Sequence, residues 1–250
     1  MRVPIAMIKA IMSLFALAGL LLAQDIILVR KYPVAASVHT FSAPAASNFG
    51  INTGSGLSTQ ADVTLGVAPT TAKFVIVAIA AQPTSCIASV ADLSGNTYTK
   101  TTNSPSSTND ATAGSTWIYY RQPTGTENAV IRTTITGTCS FFSMRVSSFG
   151  ISPSAGTVID VDAPAGSGTT GTTINTPTIT SPTTGALLYC IGTPENGITG
   201  VGATGWTEDP SGVGSTLAED AEYILSASGS KAANFVQSSG HWDSTCASFK

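Results

Sequence analysis

Apolar positions along this chain come in short runs, alternating or continuous, and each run is closed by Gly, Pro, Ser, Thr or Asn. The clearest are "KFVIVAIAA", "STWIYYRQ", "NAVIRTTIT", "SFFSMRVSSFG", "GALLYCIG", "EDAEYILSA", "KAANFVQSS" and "STCASFK". Shorter ones include "DIILVRKY", "ADVTLGV", "SVADL", "TYTKTT", "TVIDVDA" and "TINTPTIT". Period-two runs separated by turn residues read as strands, and many of them in series read as a sandwich or barrel. Beyond the N-terminus no segment carries a helical period of useful length. The expected fold is an all-β, antiparallel β-sandwich of jelly-roll type over residues 61–250, with an extension and first strand in 24–60. Residues 101–115, without apolar anchors, are expected to form a long surface loop. Residues 163–173, rich in Gly and Thr, are expected to be a flexible connection between two halves.

A repeat runs beneath this pattern. "TTAKFVIVAIAA" parallels "TTGALLYCIGT", "GNTYT" parallels "GWTED", "WIYYRQPTGTENAVI" parallels "AEYILSASGSKAANF", and "SSFG" parallels "ASFK", in the same order. Duplicated Greek-key halves would produce this, and so would chance similarity among Thr-rich strands. If the halves are real, Cys190 and Cys246 sit on strands that would pair, giving a bridge within the second half. Cys86 and Cys139 flank the corresponding strands of the first half and would join two loops at one rim. Four cysteines allow three connectivities, so the other pairings stay open.

The N-terminus reads differently. Arg2 and Lys9 precede an apolar run from Ala10 to Ala23, the arrangement of a secretory signal peptide over residues 1–23. The run falls short of the roughly 20 residues that span a bilayer. An exported chain with an even number of cysteines favours disulfides, and no CxxC or Cys/His cluster suggests zinc. Only 10% of residues are charged, with a net charge of −3, while threonine fills 36 positions. The polar surface must therefore come from Thr, Ser, Asn and Gly. No Lys/Arg cluster could follow a phosphate backbone, which argues against a nucleic-acid partner.

"KFVIVAIAA", "SVADLSGNTYTK", "STWIYYRQPTGTENAVIRTTIT", "SMRVSSFGI" and the terminal "SSGHWDSTCASFK" together resemble a group of secreted bacterial β-sandwich proteins. Its marks are a hydrophobic strand, a D-x-x-G-N-x-Y hairpin, a W-x-Y/Y strand and a C-terminal W…F-K strand. The resemblance covers residues 60–250 and implies a fold and an extracellular setting rather than an activity. This chain departs from it in its four cysteines and in Asp243.

Candidate chemistry is sparse. Trp117 and Tyr119 share one face of their strand and Ile118 and Tyr120 the other, so one pair should be core and the other surface. Trp117 and Tyr119, with Trp206 in a Gly-rich loop, are the candidate glycan-stacking aromatics. Asp160 and Asp162, two apart, would project from one strand face, where a bound Ca²⁺ would relieve their repulsion. Glu208-Asp209 and Glu219-Asp220-Glu222 read as solvated loop charge. His241 and Asp243 would share a strand face, but no G-x-S-x-G elbow supplies a nucleophile. In "SVADLSGNTYTK", Asp92 supports an Asx turn and Gly95-Asn96 the bend of a hairpin. The function expected from all this is a secreted or cell-surface, non-catalytic structural or adhesive protein, with self-association or a surface glycan as the expected partner. Its N-terminal extension could add a strand to a neighbouring subunit, but more simply pairs in its own sheet. A glycan-binding module is the alternative, and an extracellular hydrolase a second one.

Overall fold

The computed structural model describes residues 39–106, 113–153, 156, 159–201, 203–209 and 219–250. The expected signal peptide lies outside them, as does the extension before residue 39. Among the described residues no helix is long and apolar enough to cross a membrane.

The first half supplies β1 (Thr40–Ser42), β2 (Phe49–Gly54), β3 (Gln60–Thr64), β4 (Lys73–Gln82), β5 (Ile87–Asp92), β6 (Thr99–Lys100), β7 (Ser115–Arg121), β8 (Val130–Ile135) and β9 (Phe141–Ser152). The second supplies β10 (Ile159–Asp162), β11 (Gly166–Gly168), β12 (Thr173–Asn175), β13 (Ala186–Pro194), β14 (Ile198–Val201), β15 (Thr207–Glu208), β16 (Asp220–Ala227), β17 (Asn234–Gln237) and β18 (Trp242–Phe249). In the first half the large sheet runs β1–β9–β4–β7–β6, with β2 also on β9, and the small sheet runs β3–β8–β5. The second half repeats this nine strands later: β10–β18–β13–β16–β15 with β11 on β18, and β12–β17–β14. The chain is therefore an all-β, antiparallel sandwich protein with an internal duplication.

The repeating unit is larger than a Greek-key half. From β2 to β9 the first strand lies beside the last and the second beside the next to last, which is the strand order of a complete jelly roll. Each half closes its own sandwich. Val77, Trp117, Tyr119, Ile131, Met144 and their neighbours fill the first interior. Two smaller clusters, one around Leu188 and Cys190 and one around Phe235 and Trp242, fill the second. The two large sheets then meet face to face through Phe74, Ile76, Phe149, Tyr189, Tyr223 and Phe249. Phe149 meets the Tyr223 ring edge-on at 5.1 Å between centroids, a favoured arrangement for aromatic pairs. Four layers result, and both faces of each large sheet are covered.

The disulfides follow the repeat. Cys190 and Cys246 are directly opposite on β13 and β18, the place that Val77 and Val146 take on β4 and β9. Cys86 and Cys139 join two loops of the first half with a Cα separation of 5.4 Å.

Three local expectations change. Residues 163–173 are not a loose connection: they hold β11 on β18 and bury Ala163. The chain passes between halves earlier, between Ser152 and Ile159. The described part of the 101–115 loop is anchored rather than loose, with Thr101, Ser104, Ser106 and Ala113 buried. Ser104 Oγ and Ser106 Oγ accept from the Ile118 and Thr116 N–H groups, each at 2.9 Å. Two hydroxyls thus close the edge of β7 that a strand would otherwise have to cover. Finally, β5 and β6 belong to different sheets, so "SVADLSGNTYTK" is a two-rung hairpin, Ala91 bridging Thr97, that carries the chain across the sandwich.

Candidate functional site

The turn at Asp92 shows how local sequence fixes local structure. Asp92 Oδ1 accepts from Ser94 N–H and Asn96 N–H at 2.9 Å each, while Oδ2 accepts from the Asn96 side chain and from Asn128 N–H. Gly95 takes φ +86°, which suits a residue without Cβ. Burial pushes the Asp92 carboxyl up, but these four donors outweigh it and hold it below the usual range. Asn96 then reaches Arg121, and Arg121 reaches Glu127, whose carboxylate also caps Thr124 and Gly125. This network ties together the turns at one end of the first half, with no carboxylate oxygen of Asp92 left over for a ligand.

The strongest concentration of charge lies between the halves. Arg145, in the apolar strand "SFFSMRVSSFG", is fully buried on β9. Its Nη1 lies 3.1 Å from Asp220 Oδ1 and donates to the Asp209 carbonyl at 3.0 Å, and its Nε is 3.3 Å from Glu219 Oε2. Ser143 donates to Glu219 Oε1 at 2.9 Å, and Asp209 Oδ2 accepts from both Ser147 and Tyr189. The Phe49 ring covers the guanidinium from 5.9 Å, within cation–π range. Burial raises the Asp209 carboxyl in spite of Arg145 and these two hydroxyl donors. Burial pushes Asp220 up to about 7, against the pull of Arg145 and with Glu219 adding to it. Glu222 is pushed up to about 8, by burial first and then by Asp220 and Glu208.

The sequence pattern assigns these carboxylates to solvated loops, but the fold buries them. Asp209, Glu219, Asp220 and Glu222 are all at most 1% exposed. The signal that would have found them is Arg145: a cation inside an otherwise apolar strand must bring its own counter-charges into the interior.

The candidate aromatics also turn inward. Trp117 and Tyr119 are 2% and 5% exposed, packed in the first interior. Ile118 and Tyr120 face the other half instead, so neither face of that strand is a surface. Trp206, half-buried, packs on the second interior. It immediately precedes β15, as the buried Tyr98 immediately precedes β6, and so does the same packing work in its half.

Asp160 and Asp162 part company. The bulge between Ile159 and Val161 breaks the two-residue alternation. Asp160 takes Thr183 N–H at 2.6 Å, Thr183 Oγ1 at 2.8 Å and Lys250 Nζ at 2.8 Å. Although burial raises it, these contacts hold the Asp160 carboxyl below its usual range. Asp162 Oδ2 accepts from Asn103 N–H at 2.9 Å, and the Asn103 side chain reaches the Asp162 and Ala163 carbonyls. Among the described residues no group of three or more His, Cys, Asp or Glu is arranged to hold a metal ion.

Asn103 also lines a cleft of about 310 Å³ together with Thr102, Pro105, Pro164 and Ala165, between a loop of each half. No charged side chain is among those lining it. His241 lies just ahead of β18 with its N–H on Glu195 Oε2 at 2.8 Å, and Asp243 is buried in the strand. His39 Nδ1 hydrogen-bonds to the Pro153 carbonyl at 2.7 Å.

Every cluster of chemically capable side chains described above therefore joins parts of the protein to one another. Compared with known proteins, the chain matches no family model and no curated protein.

Proposed function

We propose that the chain is a secreted or cell-surface protein with a structural or adhesive role, working as a rigid pair of jelly rolls, each braced by its own disulfide, rather than as a catalyst. One observation carries this reading: the charged and aromatic residues with the greatest chemical capacity are packed between sheets, with Arg145, Asp220, Trp117 and Tyr119 all under 6% exposed. What the molecule offers outward is a Thr-, Ser- and Gly-rich β surface with capped or short edge strands. The two disulfides suit an oxidising compartment. The glycan-binding alternative loses Trp117 and Tyr119 as platform residues, and the hydrolase alternative loses Glu208 as an open loop carboxylate.

The test is to purify the disulfide-intact chain and follow its size by analytical ultracentrifugation and electron microscopy across a concentration series. In parallel it is screened against ester, glycoside and peptide substrates. Ordered assemblies or adhesion to a surface without turnover support the proposal. Turnover that survives further purification overturns it.

A further inference from the structure

Strand register makes the two halves comparable position by position. Ile79 pairs with Trp117 and Val77 with Tyr119 across β4 and β7, and Gly192 pairs with Asp220 and Cys190 with Glu222 across β13 and β16. Asp220 thus stands where the first half has Trp117, and Glu222 where it has Tyr119. On the neighbouring strand Glu208 pairs directly with Glu222, where Lys100 pairs with Tyr119. Like charges directly opposite on an antiparallel pair repel. Asp220, two residues before Glu222, shares that strand face.

The surroundings offset part of this, chiefly at Asp220, whose Oδ1 also accepts from Ala221 N–H at 2.8 Å. Arg145 on β9 reaches Asp220 and Glu219 from the seam, with Ser143 and Ser147 beside it. β13 brings Tyr189, the segment after β15 brings Asp209, β16 brings Tyr223, and Asp243 on β18 is buried as well. The Asn234 N–H of β17 donates to Glu222, and β12 and β14 carry no titratable side chain. Asp220 Oδ2, Glu222 Oε2 and Glu208 Oε1 are buried without a hydrogen-bond partner among the described residues. In the first half the same space is one continuous apolar cluster, and in the second it is broken into two.

We propose that this acidic face is a proton-held clasp on the second half. In mildly acidic surroundings Asp220 and Glu222 hold protons, and the short β15 stays paired with β16. When the protons leave, repulsion among Glu208, Asp220 and Glu222 opens that edge and uncovers Arg145 and the seam behind it. The upward pKa shifts of Asp220 and Glu222 agree with this arrangement, and place the opening as pH rises through about 7 to 8.

Amide hydrogen exchange on the disulfide-intact chain, corrected for intrinsic rates, tests it at about pH 5.5 and about pH 8.5. Protection in 203–209 and 219–227 should fall by about tenfold or more at the higher pH, the factor that one pKa unit of linkage represents. Protection in β4 and β9 should hold. Glu222→Gln should remove most of the dependence. Equal protection at both pH values, or a full dependence retained in Glu222→Gln, overturns the proposal. So does restoration of protection at the higher pH by excess calcium, which would make the cluster a metal site. Should Glu222→Gln fail to fold, ¹³C-carboxyl titration of the unsubstituted chain decides. Two carboxyls titrating near 7 and 8 support the clasp, and all carboxyls titrating below about 5 sink it.

Discussion

Tyr119 lies opposite Val77 in the first half and Glu222 lies opposite Cys190 in the second, so an aromatic ring and a carboxylate hold the same position in two copies of one fold. The copies share backbone pairing while their interiors have diverged, and the divergence gives the seam its charge. Arg145 is matched in the second half by Thr245, since Ala78 pairs with Arg145 as Ile191 pairs with Thr245. One half supplies the cation and the other the anions.

Arg145→Leu removes the cation that Glu219 and Asp220 share while they remain buried. Breaking a buried pair from one side leaves uncompensated charge, and the expected loss is about 3–5 kcal/mol. Denaturant unfolding measures it, and Arg145→Lys should recover only part. A variant as stable as the parent would show that the carboxylates find other partners.

Asp92→Ala deletes an acceptor of four hydrogen bonds, three of them from backbone or side chain within the turn itself. A loss of about 2–3 kcal/mol is expected. Asp92→Asn, which keeps the shape but not the charge, should fall between. Thermal unfolding at neutral pH distinguishes the three.

Stability should peak in mild acid. Asp92, Glu127 and Asp160 have lowered pKa values when folded. What they contribute is present above the unfolded carboxylate range and lost as pH falls through their folded values. Asp220 and Glu222 are raised, to about 7 and about 8. Their contribution is complete below the unfolded range and lost as pH rises through those folded values. Melting temperature against pH should therefore fall on both sides of a maximum between about 5 and 6. A curve still rising at pH 8 would contradict the assignment of the upper limb.

Replacing Cys190 and Cys246 together by Val copies the Val77–Val146 pair of the first half. Packing should survive, and the loss should be the cross-link's own contribution, about 2–4 kcal/mol. The Cys86–Cys139 bridge spans 53 residues against 56, so removing either bridge should cost a similar amount. Paired denaturation curves of the two double substitutions make the comparison.

The strands, the repeat and the disulfide partners were legible because they depend on local alternation and on cysteines at matching places in two similar stretches. Surfaces were not. Alternation marks one face of a strand as buried, and it assumes that the other meets water. In "STWIYYRQ" both faces are covered, by the small sheet on Trp117 and Tyr119 and by the other half on Ile118 and Tyr120. The acidic residues misled for a related reason: Glu and Asp flanking a strand normally mean solvent, and only the Arg145 partner, more than 60 residues away in sequence, reverses that. The crossing of "SVADLSGNTYTK" between sheets was hidden because its first rungs are those of an ordinary hairpin.

The chain passes from one jelly roll to the other once, between Ser152 and Ile159. A cut there leaves two polypeptides, each with its eight-strand order and its own cross-link intact. The seam then becomes a meeting of separate molecules, and recognition falls to Arg145 on one piece and the carboxylates on the other. Two first pieces would set guanidinium against guanidinium, and two second pieces acid against acid. The duplication has thus left a seam whose two sides are complementary rather than alike, cation on one and carboxylates on the other.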